Sequence, residues 1–80
     1  MKKLNKYNDK LVAIYEELDN LIGELEEKRD AIEDRAIEKN RDMTDAEQGR
    51  YDEINEQIDA IRECMDNIES AWDVIGDYVE

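Results

Sequence analysis

Histidine and proline are absent from this 80-residue chain, cysteine occurs once and glycine three times. Each shortage excludes something. Without histidine the chain has no imidazole base, and Thr44 and Ser70 are its only hydroxyls besides the tyrosines. Carboxylates abound, but general acid work needs a pocket that shifts a pKa. Cys64 stands alone, so no intrachain disulfide can form, and a reducing cytoplasm is the expected setting. A lone cysteine without histidine is also no zinc site, and "DMTD" (42–45) lacks the glycine and alternating ligands of a calcium loop. The basic opening "MKKLNKYNDK" is not followed by an apolar core of signal-peptide length. No run approaches the roughly 18 apolar residues that span a membrane. The expectation is a protein that is not an enzyme and that uses no metal or cofactor.

What remains is a helical composition. Glu, Asp, Ile, Leu, Ala, Lys and Arg dominate, and apolar residues make up 40% of the chain. Eighty residues allow one small domain. The net charge is −13, from 24 acids and 11 bases. Such a charge repels phosphates, so direct nucleic-acid binding is not expected, and it favours a basic partner.

The apolar residues are arranged in rows. In the second half Thr44 and Glu47 form the Thr-x-x-Glu capping box, and Asp45 and Glu47 suit the positive end of a helix dipole. Apolar residues follow at Tyr51, Ile54, Ile58, Ile61, Met65, Ile68, Trp72, Ile75 and Val79, in steps of three and four. In the first half Leu4, Tyr7, Leu11, Ile14, Leu18, Leu21 and Leu25 keep the same rhythm. It then meets Lys28, Ile32 and Arg35, and survives by spreading to Ala31, Ala36 and Ile37. Gly23 lies inside this helix without breaking the register.

The pattern predicts an all-α fold, an antiparallel two-helix hairpin of coiled-coil type. It has one helix over about 4–39, a turn over about 40–43 and a second helix over about 44–79. Leu25 should meet Ile58 or Ile61, and Leu11 should meet Trp72 or Ile75. Two helices cover one seam but build no thick core. Val12, Tyr15 and Ile22 flank the first seam near the chain ends, as do Ala71 and Tyr78 the second. Together with Trp72 they form the expected self-association surface, which would make the hairpin a homodimeric four-helix bundle. Cys64, beside the second seam, is expected to be a small buried hydrophobe.

The acids are also in a row. On the second helix Asp52, Glu56, Asp59, Glu63, Asp66, Asp73, Asp77 and Glu80 recur opposite the apolar seam, with Ser70 in the one gap. Residues 42–80 hold 13 acids against two bases, Arg50 and Arg62. The first helix interleaves Lys28, Arg29, Arg35 and Lys39 among its acids, as an ordinary salt-bridged face does. A purely solvated face would mix signs, because like charges four residues apart destabilise a helix. The seven carboxylates from Asp52 to Asp77 are therefore candidates for engaging a basic protein surface. A net charge of −13 over roughly 53 Å of helix is about one charge per 4 Å, close to the 3.4 Å spacing of a single nucleic-acid strand.

Two resemblances accompany these patterns. Residues 31–61, "AIEDRAIEKNRDMTDAEQGRYDEINEQIDAI", resemble the helical, scaffold-like N-terminal segment of tailed-phage major capsid proteins. Arg41, Thr44, Glu47 and Tyr51 fit its pattern, with Met43 where leucine is usual. In composition the chain is similar to small acidic phage-encoded inhibitors of host defence, including anti-CRISPR and anti-restriction proteins, some of which imitate DNA. The second resemblance implies inhibition of a nucleic-acid-handling partner in the host cytoplasm by nucleic-acid mimicry. The first implies an assembly or scaffolding coiled coil that acts through its apolar face.

Overall fold

A computed structural model describes residues 2–78 and shows two helices, α1 (Lys2–Glu38) and α2 (Asp45–Gly76). They lie side by side as an all-α hairpin with extents of 59 × 15 × 13 Å. Val79 of the seam and Glu80 of the acidic row lie outside the described residues. Three cross-helix contacts show the antiparallel register: Tyr15 with Trp72, Glu26 with Arg62, and Arg29 with Asn55.

The turn is built from both sides. α1 ends in a Schellman motif. Asn40 takes the left-handed conformation (φ 51°), its N–H donates to the Ile37 carbonyl (3.0 Å) and the Arg41 N–H donates to that of Ala36 (3.1 Å). Asparagine is one of the few residues besides glycine that visit this region readily. α2 opens with the expected capping box: the Glu47 N–H donates to Thr44 Oγ1 (3.1 Å) and the Thr44 N–H to Glu47 Oε1 (3.0 Å). Arg41 then forks onto the same carboxylate, with Nη1 at 2.7 Å from Oε1 and Nη2 at 3.3 Å from Oε2. Glu47 is buried at the turn end, so its charge is held by three donor groups in place of water.

These donors hold the Glu47 carboxyl down at about 2, against an ordinary 4.5. The Arg41 guanidinium contributes most, followed by the Thr44 amide. A depressed carboxyl pKa stabilises the fold above the ordinary value, and the effect fades as pH falls through the folded one. The urea stability of the parent should therefore exceed that of Glu47→Gln above pH 4.5, and the gap should close as pH falls towards 2. A gap that stayed constant across that range would show that the ionised form of Glu47 is not what closes the turn.

Between the helices the core is one residue thick. Ile22, Ala36, Ile58 and Met65 are its buried apolar members, and Tyr15, Leu18, Leu25, Ile54 and Ile61 pack against the central group of Ile22, Ile58 and Met65. The α2 seam is the one its sequence predicts, with Leu25 in the same cluster as Ile58 and Ile61. The α1 seam is rotated by one position from the expected one. Leu4, Leu11, Leu18, Leu25 and Ile32 belong to both versions, but their partners are Asn8, Tyr15, Ile22, Arg29 and Ala36. Tyr7, Ile14 and Leu21 are instead exposed, at 53%, 45% and 39%.

The charges explain the rotation. The expected seam would place Lys28 and Arg35 between the helices, and unpaired buried charge is costly. The observed seam seats Arg29 as its one α1 base, paired with the neighbouring Asp30 (3.1 Å), with Asn55 Oδ1 accepting from its Nη1 at 3.0 Å and the Tyr51 ring 6.0 Å beneath its guanidinium. It also seats Ala36, whose small side chain suits the close approach of the helices at the turn, while Ala31 and Ile37 face outward.

Candidate protein-binding face

Seven carboxylates define the site: Asp52, Glu56, Asp59, Glu63, Asp66, Asp73 and Asp77 are all exposed. All belong to α2 or its cap. Spacings of three and four residues, and one of seven across Ser70, keep them on one stripe, because such residues lie on the same side of a helix. The stripe lies opposite the side of α2 that carries Ile58 and Met65, so packing does not constrain these side chains. Asp52 accepts a hydrogen bond from Gln48 Nε2 (2.9 Å), and among the described residues no cation pairs with any of the seven.

Both bases of α2 point elsewhere. Arg62 reaches across to Glu26 (3.4 Å) on one edge of the hairpin. Arg50 sits on the opposite edge, where it lines an open groove with Lys28, Arg35, Ala31, Ile32, Ile54 and the buried Glu47. Asp66 borders the Arg62 edge together with Tyr15, Asp19, Ile22 and Glu26. The end of α2 carries no base in its last turn, and Asp77 caps it. Negative charge at a helix C-terminus opposes the dipole. Stability alone would therefore favour lysine or arginine at Asp73 and Asp77.

The residues expected to mediate self-association are distributed differently. Ile22, at 5% exposure, belongs to the hairpin's own core and offers no side chain to a second molecule. Tyr15 and Trp72 are half-buried and meet edge to face at 4.9 Å between ring centroids, so they too pack within the chain. Val12 and Ala71 are half-buried, and Tyr78 is exposed. Cys64 is exposed rather than buried, because the edge of the seam beside it is covered by nothing else in the hairpin.

Sequence reasoning missed the basic groove at the turn end. Its signal was the seventh-residue spacing of Lys28 and Arg35, hidden once both were assigned to the seam. Among the described residues no group of three or more histidine, cysteine, aspartate or glutamate side chains is placed to hold a metal ion, and no helix is long and apolar enough to cross a membrane. In comparisons with protein families, with characterised proteins and with solved structures, the chain matches none.

Proposed function

We propose that this protein is a non-catalytic inhibitor that occupies the basic surface of a nucleic-acid-handling partner. The observation that carries this reading is the exposed row of seven carboxylates, none paired with a cation among the described residues, along one side of a 59 Å rod. A net charge of −13 over that length is about one charge per 4.5 Å, near the linear density of a nucleic-acid strand. Lysine and arginine side chains arranged to hold phosphates would find carboxylates at similar intervals. The rod would neutralise those cations and fill the channel, so DNA or RNA could not enter. Its likeness in composition to phage-encoded inhibitors of host defence supports the same reading.

A second reading has its own observation. Tyr7, Ile14, Val74 and Tyr78 are exposed apolar side chains towards the chain ends, and Leu21 and Ile37 are exposed at the middle and the turn end of α1. They favour an assembly or scaffolding role in which the apolar face engages other chains and the charge maintains solubility. Salt separates the two readings, since exposed charge contacts are screened and apolar ones are not. In a pull-down from a bacterial lysate, the inhibitor reading expects a nucleic-acid-binding protein that is released by high salt and displaced by added DNA or RNA. A partner retained through both washes supports the assembly reading instead.

A further inference from the structure

We infer that the uncovered edge of the hairpin is the interface with a second copy of this chain, laid antiparallel across it. The edge is defined by every seventh residue from Tyr7 to Arg35 in α1 and from Arg50 to Tyr78 in α2. The groove in which Lys28 and Arg35 meet Arg50 shows that these two rows share one side of the molecule. The other edge, where Glu26 meets Arg62, carries the equivalent rows from Asn5 to Glu33 and from Gln48 to Gly76.

Composition separates the two edges. The Glu26 edge has four acids among its ten positions, and the Tyr7 edge has none among its ten, in a chain with 24 acids in 80 residues. Positions beside a two-stranded seam are ordinarily charged. Apolar residues at the two seam positions plus one flank are instead the pattern of helices that face a bundle core. Tyr7, Ile14 and Leu21 supply that third position in α1, and Cys64, Ala71 and Tyr78 supply it in α2.

Charge selects the occupant and its direction. Two chains of net charge −13 repel, so they can meet closely only where neither presents a carboxylate. A two-fold axis perpendicular to the rod at Ile14 lays Tyr7 of one copy against Leu21 of the other, so the apolar stretch is its own complement. The partner's rod then ends before Lys28, which leaves Lys28, Arg35 and Arg50 of each copy in solvent. A parallel arrangement would press these three bases against the partner's three. The acidic stripe lies off this edge, so the dimer would present two stripes, and the inference stands apart from the identity of any inhibited partner.

Sedimentation equilibrium tests it. The parent should be a dimer that tightens as salt rises, because screening relieves the repulsion between the copies. Ile14→Glu should weaken association by at least about 100-fold with its helical circular dichroism intact, since Ile14 is not part of the hairpin's buried core. Ile37→Glu makes the same chemical change off this edge and should leave the dimer unaltered. A parent that is monomeric or trimeric, a dimer that loosens with salt, or an Ile14→Glu chain that associates as well as Ile37→Glu would each overturn the proposal. The salt series needs no substitution and can overturn the proposal even if Ile14→Glu unfolds. For direction, spin labels on Arg50→Cys in a Cys64→Ala background should lie about 60 Å apart across the dimer, from 1.5 Å of rise per residue. A separation below about 25 Å would refute the antiparallel arrangement.

Discussion

Ile58→Ala is expected to remove most of the stability of this protein. Ile58 is 1% exposed and clusters with Ile22 and Met65, with Leu25 and Ile61 against the same cluster. Truncating a fully buried isoleucine to alanine costs about 2–5 kcal/mol, because transfer energy is lost and a cavity remains. A chain of this length has a total stability of roughly 4–12 kcal/mol. A core one residue thick also has no second layer that could close over the gap. The urea midpoint should fall to a small fraction of the parent's, and a large part of the helical circular dichroism should be lost on mild warming. By contrast, Val74→Ala, at a side chain 65% exposed, should stay within about 0.5 kcal/mol of the parent. If Ile58→Ala lowered stability by less than about 1 kcal/mol, the seam would not be the principal source of folding free energy.

The hairpin itself was legible in the sequence, and the reasons are local. Thr44 and Glu47 announce the start of α2, and its apolar residues admit a single three-four register, so the seam from Tyr51 to Ile75 and the acidic stripe opposite it could both be read directly. α1 was ambiguous because Leu4, Leu11, Leu18, Leu25 and Ile32 satisfy two registers at once. Counting apolar residues favoured Tyr7, Ile14 and Leu21 over Asn8, Tyr15 and Ile22. The decision was made further along, by whether Lys28 and Arg35 or Arg29 and Ala36 would sit between the helices. Asp30, the next residue of α1, pairs with Arg29, and α2 adds the Asn55 and Tyr51 contacts that make it acceptable there. The grip of Arg41 on Glu47 was likewise unreadable, since it depends on the left-handed turn at Asn40.

Reversing Glu56, Asp59 and Glu63 together to lysine is expected to abolish the inhibitory activity proposed here while sparing the fold. The three side chains are exposed and make no ion pair among the described residues. Their reversal shifts the net charge by six units, from −13 to −7. Electrostatic steering raises association rates by about 10–1,000-fold, so at low salt the variant should bind the partner at least about 100-fold more slowly. That difference should shrink as salt is added. The melting temperature should stay level or rise, because Glu56→Lys gains Asp52 four residues before it and Glu63→Lys gains Asp66 three residues after it. Stopped-flow association and displacement of a labelled oligonucleotide measure the effect. A variant that binds and displaces like the parent at every salt concentration would reduce the stripe to a solvated face and favour the assembly reading.

The shape of the hairpin has a practical consequence in solution. Its radius of gyration is 18.0 Å, whereas a compact chain of 80 residues would have about 12 Å. The same 18.0 Å belongs to a compact chain of roughly 250 residues. A single hairpin on a gel-filtration column calibrated with spherical standards should therefore elute well ahead of its true mass, and it would be mistaken there for the very dimer in question. Small-angle scattering should give a distance distribution with a long tail towards 59 Å instead of a symmetric peak. Tumbling should be anisotropic, with transverse NMR relaxation faster for amides whose N–H bonds lie along the long axis, as those of both helices do.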